Sequence, residues 1–115
     1  MYSASITKED SMQLNKIQTY FLETRKKYYH KKELLKIIIS ELEKNPGMIK
    51  KFEECINQDK KSNGSRIALW IDEELKVMLL RLRDKYGVSQ SKCISCAIQA
   101  FNYLYGVSPV DTVTV

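Results

Sequence analysis

"RIALWIDEEL", Arg66 to Leu75, decides how this chain is read. Ile67, Leu69 and Ile71 alternate with Arg66, Ala68 and Trp70, the two-residue period of a strand with one buried face, and a helical pattern follows at once. No second strand of comparable clarity stands elsewhere in the 115 residues. A lone strand leaves backbone groups unpaired and an apolar face uncovered, so its partner is expected from outside the segment.

Downstream, Asp72 is placed to cap a helix whose apolar face is Leu75, Met78, Leu79, Leu82 and Tyr86. Glu73 and Glu74 in its first turn and Arg83 and Lys85 in its last complement the helix dipole, and Gly87 stops it. Ser89 caps a second helix with Ile94, Ala97, Ile98, Phe101 and Leu104 or Tyr105 inside, ending at Gly106. Residues 107–115, "VSPVDTVTV", read as a flexible tail.

Upstream, "NQDKKSNGS" has no apolar residue, and residues 58–65 read as a linker. Residues 1–57 read as an N-terminal helical region. Leu14, Ile17, Tyr20 or Phe21, and Tyr28 fall at roughly helical spacing, and Leu34, Leu35, Ile38 and Leu42 form a tighter stripe. Asn45 then caps a short helix with Pro46 at its first position and Met48, Ile49, Phe52, Cys55 and Ile56 inside. Such helices suit packing, oligomerisation or a protein partner.

Composition narrows the classes. Forty-three per cent hydrophobic and 29% charged residues describe a globular chain, long enough for one ordinary domain or two small ones that lean on a partner. "MYSASITKED" lacks the character of a signal peptide, and no apolar run nears the roughly 20 residues that span a bilayer; a cytoplasmic protein with no membrane partner is expected. Three cysteines without a secretory signal argue for reduced thiols rather than a disulfide framework. Cys93 and Cys96 form a C-x-x-C, but only Cys55 and His30 could complete a zinc set, so no metal is expected and the thiols read as small buried hydrophobes. With one histidine, no paired carboxylates, no phosphate loop and no nucleophile motif, neither an enzyme nor a cofactor is expected.

The net charge of +5 favours an anionic partner. Arg25, Lys26, Lys27, Lys31, Lys32 and Lys36 cluster around Tyr28, Tyr29 and His30. That cluster reads either as a solvated helix face or as an accessory contact to a phosphate backbone.

Strand, cap, helix, "KYGVSQS" and helix, within Ser65 to Gly106, resemble the ribbon-helix-helix family of DNA-binding proteins, the MetJ/Arc type. The resemblance covers a little over a third of the chain, and Gly-Val-Ser-x-Ser between the helices is its most specific element. It implies a mostly α protein, an N-terminal helical region followed at 66–106 by a module that dimerises through a two-stranded antiparallel β-ribbon. Ile67, Leu69, Ile71, Leu75, Leu79, Leu82, Ile94, Ile98 and Phe101 would form the shared core of that homodimer.

The resemblance also implies DNA contacts. The ribbon's outer face enters the major groove, placing Arg66, Ala68 and Trp70 at base edges, although Trp70 departs from the polar residue usual there. Ser89, Gln90, Ser91 and Lys92 at the second helix's N-terminus would hold phosphate. The implied function is sequence-specific binding of double-stranded DNA, as a transcription regulator; dimers could assemble further on DNA. A plasmid partition or relaxosome accessory protein is the alternative within that class. An antitoxin-like module that uses the Ala68/Trp70 face to bind a polypeptide is the alternative outside it.

Overall fold

The computed structural model describes residues 2–58 and 65–106. The chain opens with a strand, β1 (Tyr2–Thr7), followed by α1 (Lys8–Arg25), α2 (Lys31–Lys44), α3 (Pro46–Ile56), β2 (Arg66–Ile71), α4 (Glu73–Tyr86) and α5 (Gln90–Tyr105). It is mostly α with one open, two-stranded antiparallel sheet. The expected order, helices first and the strand after, is thereby corrected. The expected partner for Arg66–Ile71 is corrected too: β1 of the same chain pairs with β2, with Ala4 opposite Leu69 and Ser5 opposite Ala68. The reason is compositional. "SASI" alternates in the same two-residue period, with Ala4 and Ile6 buried and Ser3 and Ser5 exposed, but serine and alanine carry little strand signal.

The chain repeats one unit twice. Thr7 ends β1 and caps α1, its hydroxyl accepting from the Asp10 amide at 3.0 Å; Asp72 directly follows β2 and caps α4, accepting from the Leu75 amide at 2.9 Å. Measured from those caps, Ile6 corresponds to Ile71, Leu14 to Leu79, and Ile17 to Leu82, all buried. In the second helices, Leu34, Leu35, Ile38, Ile39 and Leu42 correspond at constant spacing to Cys93, Ile94, Ala97, Ile98 and Phe101, again all buried. The units interlock crosswise: β1 packs on α5 and β2 on α2, while α1 meets α5 and α4 meets α2. An approximate two-fold axis through the Ala4/Leu69 pair therefore relates two strand-helix-helix units whose core is closed within a single chain.

Of the expected core residues, Ile71, Leu75, Leu79, Leu82, Ile94, Ile98 and Phe101 are buried, Leu69 is partly buried, and Ile67 is 37% exposed at the strand's start. The helix expected to reach Tyr28 is corrected: Lys26, in the left-handed region at φ 57°, ends α1, and Tyr28 lies exposed in the loop. Asn45 caps α3 as expected, accepting from the Gly47 and Met48 amides at 3.0 and 3.3 Å. This extra helix packs along α5. The cysteine expectation needs correction: Cys55 of α3 and Cys96 of α5 form a disulfide, leaving Cys93 as the buried free thiol among the described residues. Close packing of α3 on α5 brings the two α-carbons to 5.5 Å, a juxtaposition that cysteine spacing alone does not reveal. Residues 59–64 of the expected linker and the expected tail, 107–115, lie outside the described residues.

Candidate nucleic-acid interface

The antiparallel register sorts the ribbon's side chains. Tyr2, Ala4, Ile6, Ile67, Leu69 and Ile71 lie on the helix side, and Ser3, Ser5, Arg66, Ala68 and Trp70 on the other. All five of the latter are exposed, Trp70 by 62%. Arg66, Ala68 and Trp70, expected at base edges, thus share one open face with two serines that the sequence reading missed. The period-two pattern of "SASI" is the signal that would have found them.

The start of α5 lies at one end of β2. The Arg66 guanidinium donates to the Ser91 hydroxyl, which draws together two residues assigned to separate roles. Ser89 caps the helix by accepting from the Lys92 amide at 3.2 Å, and Gln90, half-buried, begins its first turn. The Lys92 ammonium donates to the Gln58 carbonyl at 2.9 Å, so a backbone oxygen already serves one of its three donors.

The start of α2 lies towards the other end of β2. An open cleft of about 1060 Å³ is lined there by the consecutive residues Ala68 to Glu73 and by Tyr2, Asn15, Gln18, Tyr28, His30, Lys31 and Lys32. The basic cluster does not form one face. Arg25 sits over the Phe21 ring at 4.5 Å and Lys27 over Tyr29 at 5.0 Å, while the Lys31 ammonium donates to the Ser11 hydroxyl at 2.8 Å. Lys36 pairs with Asp72 and, at 3.5 Å, with Glu74. The hydrogen bond from Lys36 lowers the Asp72 carboxyl below its ordinary range and raises the lysine.

One face of the ribbon thus carries hydroxyls, a guanidinium and an indole, with lysines and helix N-termini towards the two ends of β2. Among the described residues no group of three or more histidine, cysteine or carboxylate side chains could hold a metal ion, and no helix is long and apolar enough to cross a membrane. No protein-family model, curated protein or solved structure matches the chain.

Proposed function

We propose that the chain binds double-stranded DNA through its two-stranded ribbon, as a single-chain counterpart of the ribbon-helix-helix dimer, and regulates transcription. The observation that carries this reading is the two-fold arrangement of strand-helix-helix units beneath one exposed ribbon, with the starts of α2 and α5 at opposite ends of β2. The major groove is wide enough for a two-stranded ribbon, and helix N-termini beside it suit the flanking phosphates. The net charge of +5 adds sequence-independent attraction to the duplex.

In this reading Arg66 reads guanine O6 and N7 once it leaves Ser91, Ser3 and Ser5 donate or accept at base edges, and Ala68 meets a thymine methyl. Lys92, Ser89, Gln90 and Ser91 contact phosphate on one side, Lys31 and Lys32 on the other. The DNA-binding unit is one chain. Because its two strands present different residues, Ser3 and Ser5 against Ala68 and Trp70, the preferred site is short and need not be an inverted repeat.

Selection of bound fragments from a random duplex pool at fixed salt tests this. A recurring motif is expected, and Arg66→Ala should weaken it by about 1–3 kcal/mol and relax preference at one guanine. Recovery of no motif, with affinity the same for every duplex, would remove sequence-specific reading.

A further inference from the structure

The cleft beside β2 has an aromatic lining that duplex binding leaves unused. Three rings line it: Tyr2, Tyr28 and Trp70. Exposed aromatics usually find cover, yet Trp70 is 62% and Tyr28 56% open to solvent. The Tyr28 ring is nonetheless held. Its hydroxyl accepts from the Gln18 amide at 3.2 Å, the same amide donates to the Tyr29 carbonyl at 3.0 Å, and its ring packs edge-on against His30 with centroids 5.6 Å apart. An aromatic fixed in place and left uncovered is a pre-formed stacking surface.

The charges around the cleft select the ligand. Lys31 bonds only to a neutral hydroxyl, and neither Lys31 nor Lys32 makes an ion pair among the described residues. Two carboxylates also line the cleft: Asp72 is paired with Lys36, and Glu73 is exposed. The volume lies just above the roughly 300–1000 Å³ common for small-ligand sites, and the cleft is open rather than enclosed. Flat rings, two lysines without an ion pair and the Asn15 amide in one lining fit a flat, hydrogen-bonding group that carries an anion.

We propose that this cleft binds an unpaired nucleotide, its base stacked on Trp70 and Tyr28 and its phosphate held by Lys31 and Lys32. A base within a duplex has both faces already stacked and cannot enter. The ligand is therefore a nucleotide of a single strand or a free nucleotide; the two share this chemistry, and experiment separates them. The inference goes beyond duplex binding and does not require it.

Trp70 is the only tryptophan, so its emission reports on the cleft directly. The full chain is titrated with an oligothymidylate, with thymidine monophosphate and with a blunt duplex. Saturable quenching by either single-stranded probe is expected; quenching by the monophosphate assigns a free nucleotide, and quenching by the oligomer alone assigns a strand. Tyr28→Ala, at an exposed loop position, should leave the melting temperature unchanged and weaken the quenching probe about 5- to 100-fold, the range for loss of one base–aromatic stack. Lys32→Ala should make that affinity less dependent on salt. Unchanged Trp70 emission with both probes, or Tyr28→Ala binding as the parent does, overturns the proposal. Arg66→Ala and Ser5→Glu keep the two readings apart, since they should weaken duplex and spare the oligothymidylate. If the duplex fails to bind while quenching persists, the DNA-ribbon reading falls and the cleft stands.

Discussion

Ala4 lies directly opposite Leu69 in the ribbon, and each stands three residues before the cap of its own first helix, Thr7 and Asp72 respectively. The two residues are thus mates under the approximate two-fold, although one is a methyl group and the other a branched side chain. The ladder runs on past β1, where the Lys8 amide donates to the Ser65 carbonyl at 3.0 Å.

A core closed within one chain should unfold as a monomer. The thermal midpoint is expected to stay constant across a hundredfold range of protein concentration, whereas a shared core would make it rise. Ile6→Asp should unfold the protein, because Ile6 is fully buried at the strand that completes the ribbon and an unpaired charge there costs several kcal/mol. A well-folded Ile6→Asp chain would mean that β1 is dispensable.

Asp10 occupies the place that Leu75 holds in the second unit, only 6% exposed, with one carboxylate oxygen lacking a hydrogen-bond partner. Burial raises its pKa above the ordinary 3.8, against weaker opposing hydrogen bonds from Thr7 and Ser95. The acid favours its neutral form when folded, so the stability it allows is fully present below about 3.8 and is lost as pH rises through the folded-state pKa. Asp10→Asn should therefore raise the melting temperature at neutral pH and converge with the parent in acid. A melting curve series against pH that shows equal stabilities at pH 7 would refute this.

The Asn102 side-chain amide of α5 donates to the Gln13 side-chain oxygen Oε1 of α1 at 2.8 Å inside the core, where the second unit places Met78 in the position of Gln13. Asn102→Leu should cost about 1–3 kcal/mol by leaving the Gln13 amide unsatisfied. Adding Gln13→Met should recover much of that loss, since removing both partners is far cheaper than removing one. Additive losses in denaturant titrations would show that the pair is not coupled.

The Cys55–Cys96 disulfide closes α3 onto α5 across 41 residues of sequence. Loop-closure entropy predicts that reduction or Cys55→Ala lowers stability by about 2–4 kcal/mol. Thiol alkylation of the unfolded, unreduced protein should label Cys93 alone, and three labelled thiols would contradict the pairing. Cys93, whose pKa burial pushes up to about 11, should react only after unfolding.

Helices and caps were legible in the sequence because their signals are local. Asp72, Ser89, Asn45 with Pro46, and Gly87 each act on amides or torsions within a few residues, and the stripe Leu75, Met78, Leu79 and Leu82 repeats with the period of the helix it builds. Strand β2 was legible for the same reason, since Ile67, Leu69 and Ile71 are large enough to mark an inner face. Its partner was not. Pairing joins residues 59 to 69 positions apart, and "SASI" announces itself only once β2 is there to receive its backbone groups. The doubled unit was hidden likewise, because Asp10 and Gln13 stand where Leu75 and Met78 do and break the apolar stripe of α1. Tertiary structure alone joined Cys55 to Cys96, set Ser3 and Ser5 beside Arg66 and Trp70, and gathered Tyr2, Tyr28 and Trp70 about one cleft. Local sequence fixes which way each segment turns its apolar face; which faces meet depends on contacts between distant segments, which no local pattern records.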